Sequence, residues 1–279
     1  MEKVLMLLLT RRSVNKTSGK SIQINITKRS RFECNEEPVE RSSTMQYTYN
    51  THFGKQETRN VIINQISLRN VDPREEYLAL EKGFALDIVN GKEEWYMSRN
   101  TRVKLSETNY NKLDWKLGLA WHSNIKEMPS MFQKILTKYI HHNNYKNIHS
   151  ANVDHKRFRY CLYYHKGSIV AITKMLHYNP PFPFADHDIL ETNFFIWNYH
   201  QPELHLGTLT LEHEIAWAKD LGLSYLYTGP GYEQSSIYKS KFDGFQWFNG
   251  MEWSTDVEEY TLLCQRDSKI RSFKAYTEI

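Results

Sequence analysis

Residues 193–253 hold the side chains best suited to group-transfer chemistry. His200 and His205 flank a turn just before Gly207, with Glu203 between them. An imidazole or a carboxylate in that place can take a proton from an incoming nucleophile. Leu206-Gly207-Thr208 lets backbone approach an anion at the start of a helix, and Gly229-Pro230-Gly231 makes a second glycine turn. Lys239 and Lys241 add cations around Tyr238, and Tyr227, Tyr232, Tyr238 and Trp247 offer aromatic faces on which a nucleobase can stack. The ordinary alternatives are plain: a surface position for the histidines, core packing for Trp247, and a solvated or salt-bridged helix face for Glu212 and Glu214. Glu203, on the loop, is the better candidate base of the three carboxylates.

Other chemistries lack their signals. There is no GxSxG, HExxH or HxH arrangement, and Cys161 falls among bulky residues in a strand-like run. Cys34, Cys161 and Cys264 are far apart with no CxxC pair, so neither a disulfide framework nor a metal site is expected. No cofactor is expected either.

The elements that position these residues follow from periodicity. Residues 193–199 read as an aromatic, β-branched strand; a turn holds Pro202; a helix runs to Leu221-Gly222; a second strand, 224–228, ends at Gly229. This is a βαβ-like unit of the kind that holds an anionic ligand. Upstream, residues 22–26 and 61–68 read as strands, and Asp72-Pro73 opens a short helix ending near Gly83. Residues 83–105 read as two strands around an Asn90-Gly91 turn, 131–139 as an amphipathic helix, and 158–164 with 169–176 as a hairpin. The Pro-rich residues 179–184 must be a loop, and 258–263 read as a closing strand.

The chain has 279 residues, 40% of them hydrophobic, and a net charge of +4, enough for one large domain or two small ones. Its mild basicity is compatible with nucleic acid without demanding it. The polar first sixty residues, with Arg11-Arg12 and the basic residues 28–31, read as a solvated arm that can also touch RNA. The apolar run at residues 5–9 is too short to span a membrane and poor as a signal peptide, so a cytoplasmic protein without a membrane partner is expected.

The residues 206–208, the run Leu221-Gly222-Leu223-Ser224-Tyr225-Leu226-Tyr227-Thr228-Gly229 and the Tyr238-Lys239-Ser240-Lys241-Phe242 step resemble the C-terminal half of arginyl- and leucyl-tRNA–protein transferases. Gly83-Phe84 and Trp95-Tyr96-Met97-Ser98 with Arg102 are similar to that family's N-terminal half. The resemblance implies an α+β fold, a mixed sheet flanked by helices of the acyl-CoA N-acyltransferase (GNAT-like) type, which can occur duplicated. It divides the chain into an arm at 1–60, an N-terminal half at 61–150 and a C-terminal domain with the transfer site at 151–279. It also implies transfer of an aminoacyl group from aminoacyl-tRNA to an amine on a protein, peptide or small molecule. Glu203, Tyr199 and His200 are then the catalytic candidates, and Leu206, Gly207, Thr208, Tyr227, Gly229, Tyr232, Tyr238 and Lys239 the donor-binding ones. The family's N-terminal cysteine cluster is absent, and Gln201-Pro202 replaces its aspartate-proline, so donor and acceptor can both differ. An acyl-CoA-dependent N-acyltransferase and an inactive tRNA- or protein-binding relative are the alternatives.

Overall fold

The computed structural model describes residues 23–25, 46–56, 59–89, 92–110, 117–122, 130–142, 157–178, 189–198, 200–232 and 234–269. They form two sheets. The first is antiparallel, ordered β1 (Gln23–Asn25), β2 (Gln46–Gln56), β3 (Arg59–Arg69), β5 (Lys92–Met97), β4 (Phe84–Val89). The second contains β6 (Asn100–Lys104), β7 (Gly118–His122), β8 (Phe158–His165), β9 (Ser168–Tyr178), β10 (Ile189–Trp197), β11 (Tyr225–Pro230), β12 (Phe245–Phe248) and β13 (Trp253–Ser254). Its order is β13-β12-β6-β11-β10-β9-β8-β7. It is mixed because β10 and β11 run parallel, joined by a helix, while its other pairs are antiparallel. The helices are α1 (Glu76–Glu81), α2 (Ser130–His142), α3 (Leu206–Asp220) and α4 (Val257–Lys269). The expected α+β class, a mixed sheet flanked by helices, is therefore what the chain adopts.

Both faces of the large sheet are covered, and β9 shows why: SIVAITKMLHY is a nearly unbroken apolar run, buried along most of its length. On one face, Leu211, Ile215 and Ala218 of α3 pack on Val103, Met175, Leu190 and Leu226. On the other, Leu86 and Trp95 of the small sheet and Ile135 and Leu136 of α2 join Tyr160, Leu162, Ile172 and Leu176. The Trp95 and Tyr178 rings lie 5.6 Å apart there. The β8–β9 hairpin turns through Lys166 (φ 49) and Gly167 (φ 78), two left-handed residues between the paired His165 and Ser168. That is the backbone a two-residue hairpin loop needs.

Two expectations fail. Residues 92–105 do not form one strand: the chain leaves the small sheet after Met97 and re-enters the large one as β6, between β11 and β12. The hydroxyl of Tyr232 holds the crossing, accepting from the Arg99 N–H at 2.8 Å, while Val103 and Leu105 are drawn into the core beneath α3. Residues 258–263 belong to helix α4, not to a strand. Tyr260, Cys264 and Asp267 recur at helical spacing on its buried side, and the Asp256 carboxylate caps it by accepting the Glu259 N–H at 2.9 Å.

The expected boundary at residue 150 crosses the large sheet, since β6 and β7 precede it and the other six strands follow it. The runs at 5–9, 11–12 and 28–31, the Asn90-Gly91 turn and the Pro-rich 179–184 lie outside the described residues. Among the described residues no helix is long and apolar enough to cross a membrane, and no group of His, Cys, Asp or Glu is placed to hold a metal ion.

Candidate functional site

The large sheet opens in its middle. β10 and β11 pair only at Leu190↔Leu226 and Glu191↔Tyr227. Beyond that rung β10 bulges between Thr192 and Phe194 and follows β9 to Trp197, while β11 shifts register between Tyr227 and Gly229 and follows β6 to Pro230. Two interior strands thus part, each keeping its outer neighbour. Beyond the rung β10 loses its β11 partner along that edge, while the β11 carbonyls of Thr228, Gly229 and Pro230 are taken by Lys239 and Thr101.

Helix α3 begins beside the parting. The chain reaches it through a 3₁₀ turn, Pro202–Leu204, and His205, a left-handed residue at φ 46. The His205 side chain makes no capping hydrogen bond and no acid stands in the first turn, so the N-terminus keeps a positive end. Gly207 lies over the free half of β10: a Cβ built on it would have Phe195 Cε1 as its nearest neighbour, at 4.0 Å. Neither packing nor a left-handed φ requires glycine there.

Across the parting, the 3₁₀ stretch Gln234–Lys241 carries Lys239 to the end of β11. Its Nζ donates to the carbonyl of Thr228 at 2.5 Å and to that of Pro230 at 3.1 Å. Burial lowers its pKa to about 8, against the pull of Cys264 and Glu191. Thr101 Oγ1 donates to the Gly229 carbonyl at 2.7 Å. Gly229 itself is left-handed (φ 72), and a Cβ on it would lie 3.4 Å from the Thr192 carbonyl, so here a glycine is demanded.

Three further charged residues are buried around the parting. Glu191 stands on the last paired rung and accepts the Tyr178 hydroxyl at 2.6 Å. Burial pushes its carboxyl up to about 7; Tyr178 pulls it down, Asp87 adds to the rise, and Lys239 and Lys174 oppose it. Lys174 of β9 places its ammonium 4.2 Å from the centre of the Phe158 ring and 5.8 Å from that of Phe194, and burial lowers its pKa to about 8. On the α3 side, Glu214 accepts three hydroxyls: Tyr163 at 2.8 Å and Thr173 at 2.6 Å on Oε1, and Thr192 at 2.6 Å on Oε2. Burial raises its pKa while Thr173, Thr192 and Tyr163 draw it down.

The residues singled out from sequence are placed as follows. Tyr199 lies outside the described residues. Glu203 and His200 are exposed in the turn before α3, and the main-chain N–H of His200 donates to the Asn198 carboxamide oxygen at 3.2 Å. The Leu206 side chain packs into an apolar cluster with Cys161, Tyr163, Val170 and Ala171, which leaves only its main chain for a donor. Thr208 is exposed at the helix start. Tyr227 is core: its hydroxyl donates to Glu81 Oε1 at 2.9 Å and accepts from Arg102 at 3.2 Å, and its ring meets Trp253 edge-on at 5.7 Å. Tyr232 holds the chain crossing at Ser98 and Arg99, with the Arg99 guanidinium 4.9 Å over its ring. Tyr238 packs on Phe242 beside the α3 cluster, and burial pushes its phenol pKa up.

Glu191, Lys174 and Thr192 were not singled out, and Glu214 was set aside as a solvated or salt-bridged helix residue. Their signal was present: Glu191 and Lys174 are lone charges inside apolar strands, and Glu214 sits between His213 and Ile215 on the buried side of α3. A charge on a face that must be buried carries a desolvation cost, which marks it for attention. Glu214 is thus a correction: the solvated face expected for it is the buried one.

No protein-family model matches the sequence, and no curated protein does. Among solved structures, the C-terminal domain (DUF2156) of a protein described as a lysylphosphatidylglycerol synthetase from Agrobacterium fabrum overlaps 70% of this chain and 70% of its own, at 8% identity and a TM-score of 0.35. A GCN5-related N-acetyltransferase from Kribbella flavida overlaps 56% of this chain and 53% of its own, at 13% identity and a TM-score of 0.30.

Proposed function

We propose that the protein is an acyltransferase that moves an aminoacyl group from the ester of a charged tRNA to an amine. The observation that carries this reading is the parting of β10 and β11, with the uncapped start of α3 on one side and Lys239 and Glu191 at its base. The start of α3 suits the donor's phosphate, and Gly207 lets the backbone come close to it. The parted edge of β10 offers hydrogen bonds to an extended acyl group. The amine attacks the ester carbonyl, a C–N bond forms and the C–O bond to the ribose breaks. Glu191, with a pKa of about 7, takes the amine proton, and the released ribose oxygen takes one up. The Lys239 ammonium opposes the charge that develops on the carbonyl oxygen. The ester is already activated, so positioning supplies much of what the reaction needs and no covalent enzyme intermediate is required.

A single glycine at the start of α3, not a glycine-rich loop, favours a nucleotide ester over the pyrophosphate of an acyl-CoA. On this reading the partners are charged tRNA and a peptide, protein or small-molecule amine in the cytoplasm. The test is transfer of a labelled amino acid from charged tRNA to an amine by the purified protein. Incorporation is expected from at least one charged tRNA. No transfer from any, together with thermal stabilisation by acetyl-CoA, would replace this reading with the acyl-CoA one. Salt-sensitive tRNA binding with no turnover would replace it with a binding protein.

A further inference from the structure

Among the described residues the buried acids are matched by cations, with one exception. Glu76 pairs with Arg157, Asp267 with Arg99 and Arg266, and Glu191 feels Lys174 and Lys239. Glu214, only 3% exposed, forms no ion pair among the described residues and meets three neutral hydroxyls instead. A carboxylate offers about four lone-pair sites. Oε1 takes two hydroxyls and Oε2 one, that of Thr192, so Oε2 keeps a place for one more donor.

That place is next to the parting. Thr192 is half-buried and is the first β10 residue beyond the last rung shared with β11. Along α3, Gly207, Thr210 and Glu214 recur at three and four residues and so share one face. Gly207 has no side chain, and Thr210 folds its hydroxyl back onto the Leu206 carbonyl at 2.8 Å. The face thus runs from the helix start to the carboxylate without a bulky side chain among these three. Seven residues of helix separate its ends by about 10 Å, the reach of a ribose phosphate bearing an ester-linked amino acid.

We infer that Glu214 is the counter-charge for the α-ammonium of the donor's amino acid, entering past Thr192, so that the site selects aminoacyl donors over acyl groups without an amine. This rests on the proposed aminoacyl transfer and names what distinguishes its donor. The phosphate meets the positive end of α3, the ammonium meets Glu214 about two turns further along, and the ester lies between. Binding the ammonium also supplies the cation that this acid, unlike the others, does not find within the described protein.

The test uses the full chain and two ligands that differ in one group: the glycyl amide of 3′-amino-3′-deoxyadenosine 5′-phosphate and its glycolyl counterpart, with hydroxyl in place of ammonium. Glycine carries no side chain, so the identity of the natural amino acid does not enter. The glycyl compound is expected to bind at least ten-fold more tightly by calorimetry, and Glu214→Gln to bring the two within two-fold. Equal wild-type affinities overturn the assignment of Glu214 and leave aminoacyl transfer standing. Binding of neither ligand, with no transfer from charged tRNA, removes both. Should Glu214→Gln fail to fold, equal wild-type affinities for the two isosteric ligands still overturn the assignment.

Discussion

Lys239 Nζ and the carbonyl oxygen of Thr228 are 2.5 Å apart, and the same ammonium reaches the Pro230 carbonyl at 3.1 Å. The lysine therefore gathers the carbonyls at the end of β11 where that strand has left β10. Its ammonium is fixed by main chain and so is oriented before any ligand arrives, which is the condition under which a charge is most useful to a transition state.

The first prediction is a narrow pH optimum. Glu191 must be ionised to take a proton and titrates at about 7, while Lys239 must be protonated and titrates at about 8. The kcat/KM for transfer should therefore rise to about pH 7 and fall above about 8. Glu191→Gln should remove the acid limb along with most activity. Lys174 also titrates at about 8, so Lys174→Met serves as the control: the alkaline limb should survive it and be lost in Lys239→Met. Loss of that limb in Lys174→Met alone would transfer the role to Lys174.

The same groups predict a minimum in stability. Glu191 is raised in the fold, so between its unfolded value and about 7 the folded state holds the extra proton and stability falls as pH rises. Lys239 and Lys174 are lowered, so from about 8 up to their unfolded value the unfolded state holds the extra protons and stability rises with pH. Urea midpoints measured across this range should pass through their lowest values between pH 7 and 8, and Glu191→Gln should flatten the acid side.

Gly207 gives a prediction that separates binding from folding. There is room for a methyl group 4.0 Å from Phe195, and the residue is helical without a left-handed φ. Gly207→Ala should leave the protein as stable as before or raise its stability by up to about 1 kcal/mol. Donor binding should fall ten-fold or more if a phosphate comes against that backbone. Unchanged binding by the well-folded variant would move the anion elsewhere.

The strand–helix–strand unit was legible because its signals are local: an aromatic strand, a glycine at the helix start, Leu221-Gly222 at its end and an apolar strand into Gly229. The α+β class with its mixed sheet was what the family resemblance implied. The parting of β10 and β11 was not legible, since no local pattern says that a parallel pair stops after two residues. Nor was the route of residues 92–105, where Tyr232, more than 130 positions later, holds the Ser98-Arg99 crossing. Periodicity reports which face of an element is buried but not which element covers it, so a charge such as Glu191 shows its role only once Tyr178 and the two lysines are seen around it.

Tyr227 shows how a sequence match can mark structure instead of chemistry. Its hydroxyl lies between Arg102 and Glu81, and the Arg102 guanidinium is stacked 3.8 Å from the centre of the Tyr225 ring and 4.0 Å from that of Trp253. Arg102 also donates to Gln246 at 2.8 Å, so one buried cation ties β6 to β11, β12 and the end of α1. Tyr227→Phe should cost about 1 kcal/mol and leave donor affinity unchanged. Arg102→Ala, which leaves acceptors unpaired and removes the stacked cation, should cost about 3 kcal/mol or more in chemical denaturation.

The last prediction sets the exposed turn against the buried rung as the source of the base. Glu203 and His200 are exposed in the turn before α3. Glu191 is held by Tyr178 on the rung where the strands divide, and its carboxyl is already raised to about 7. A base whose pKa lies near the working pH combines a useful ionised fraction with a useful affinity for the proton, and positioned general bases contribute about 10²–10⁴-fold. Glu203→Ala and His200→Ala should each keep transfer within two-fold, and Glu191→Gln should lose about 10² or more of it. Donor affinity measured on the amide-linked analogue should be unaltered in Glu191→Gln, because the loss falls on proton transfer. A hundred-fold drop in Glu203→Ala, with Glu191→Gln active, would return the base to the turn.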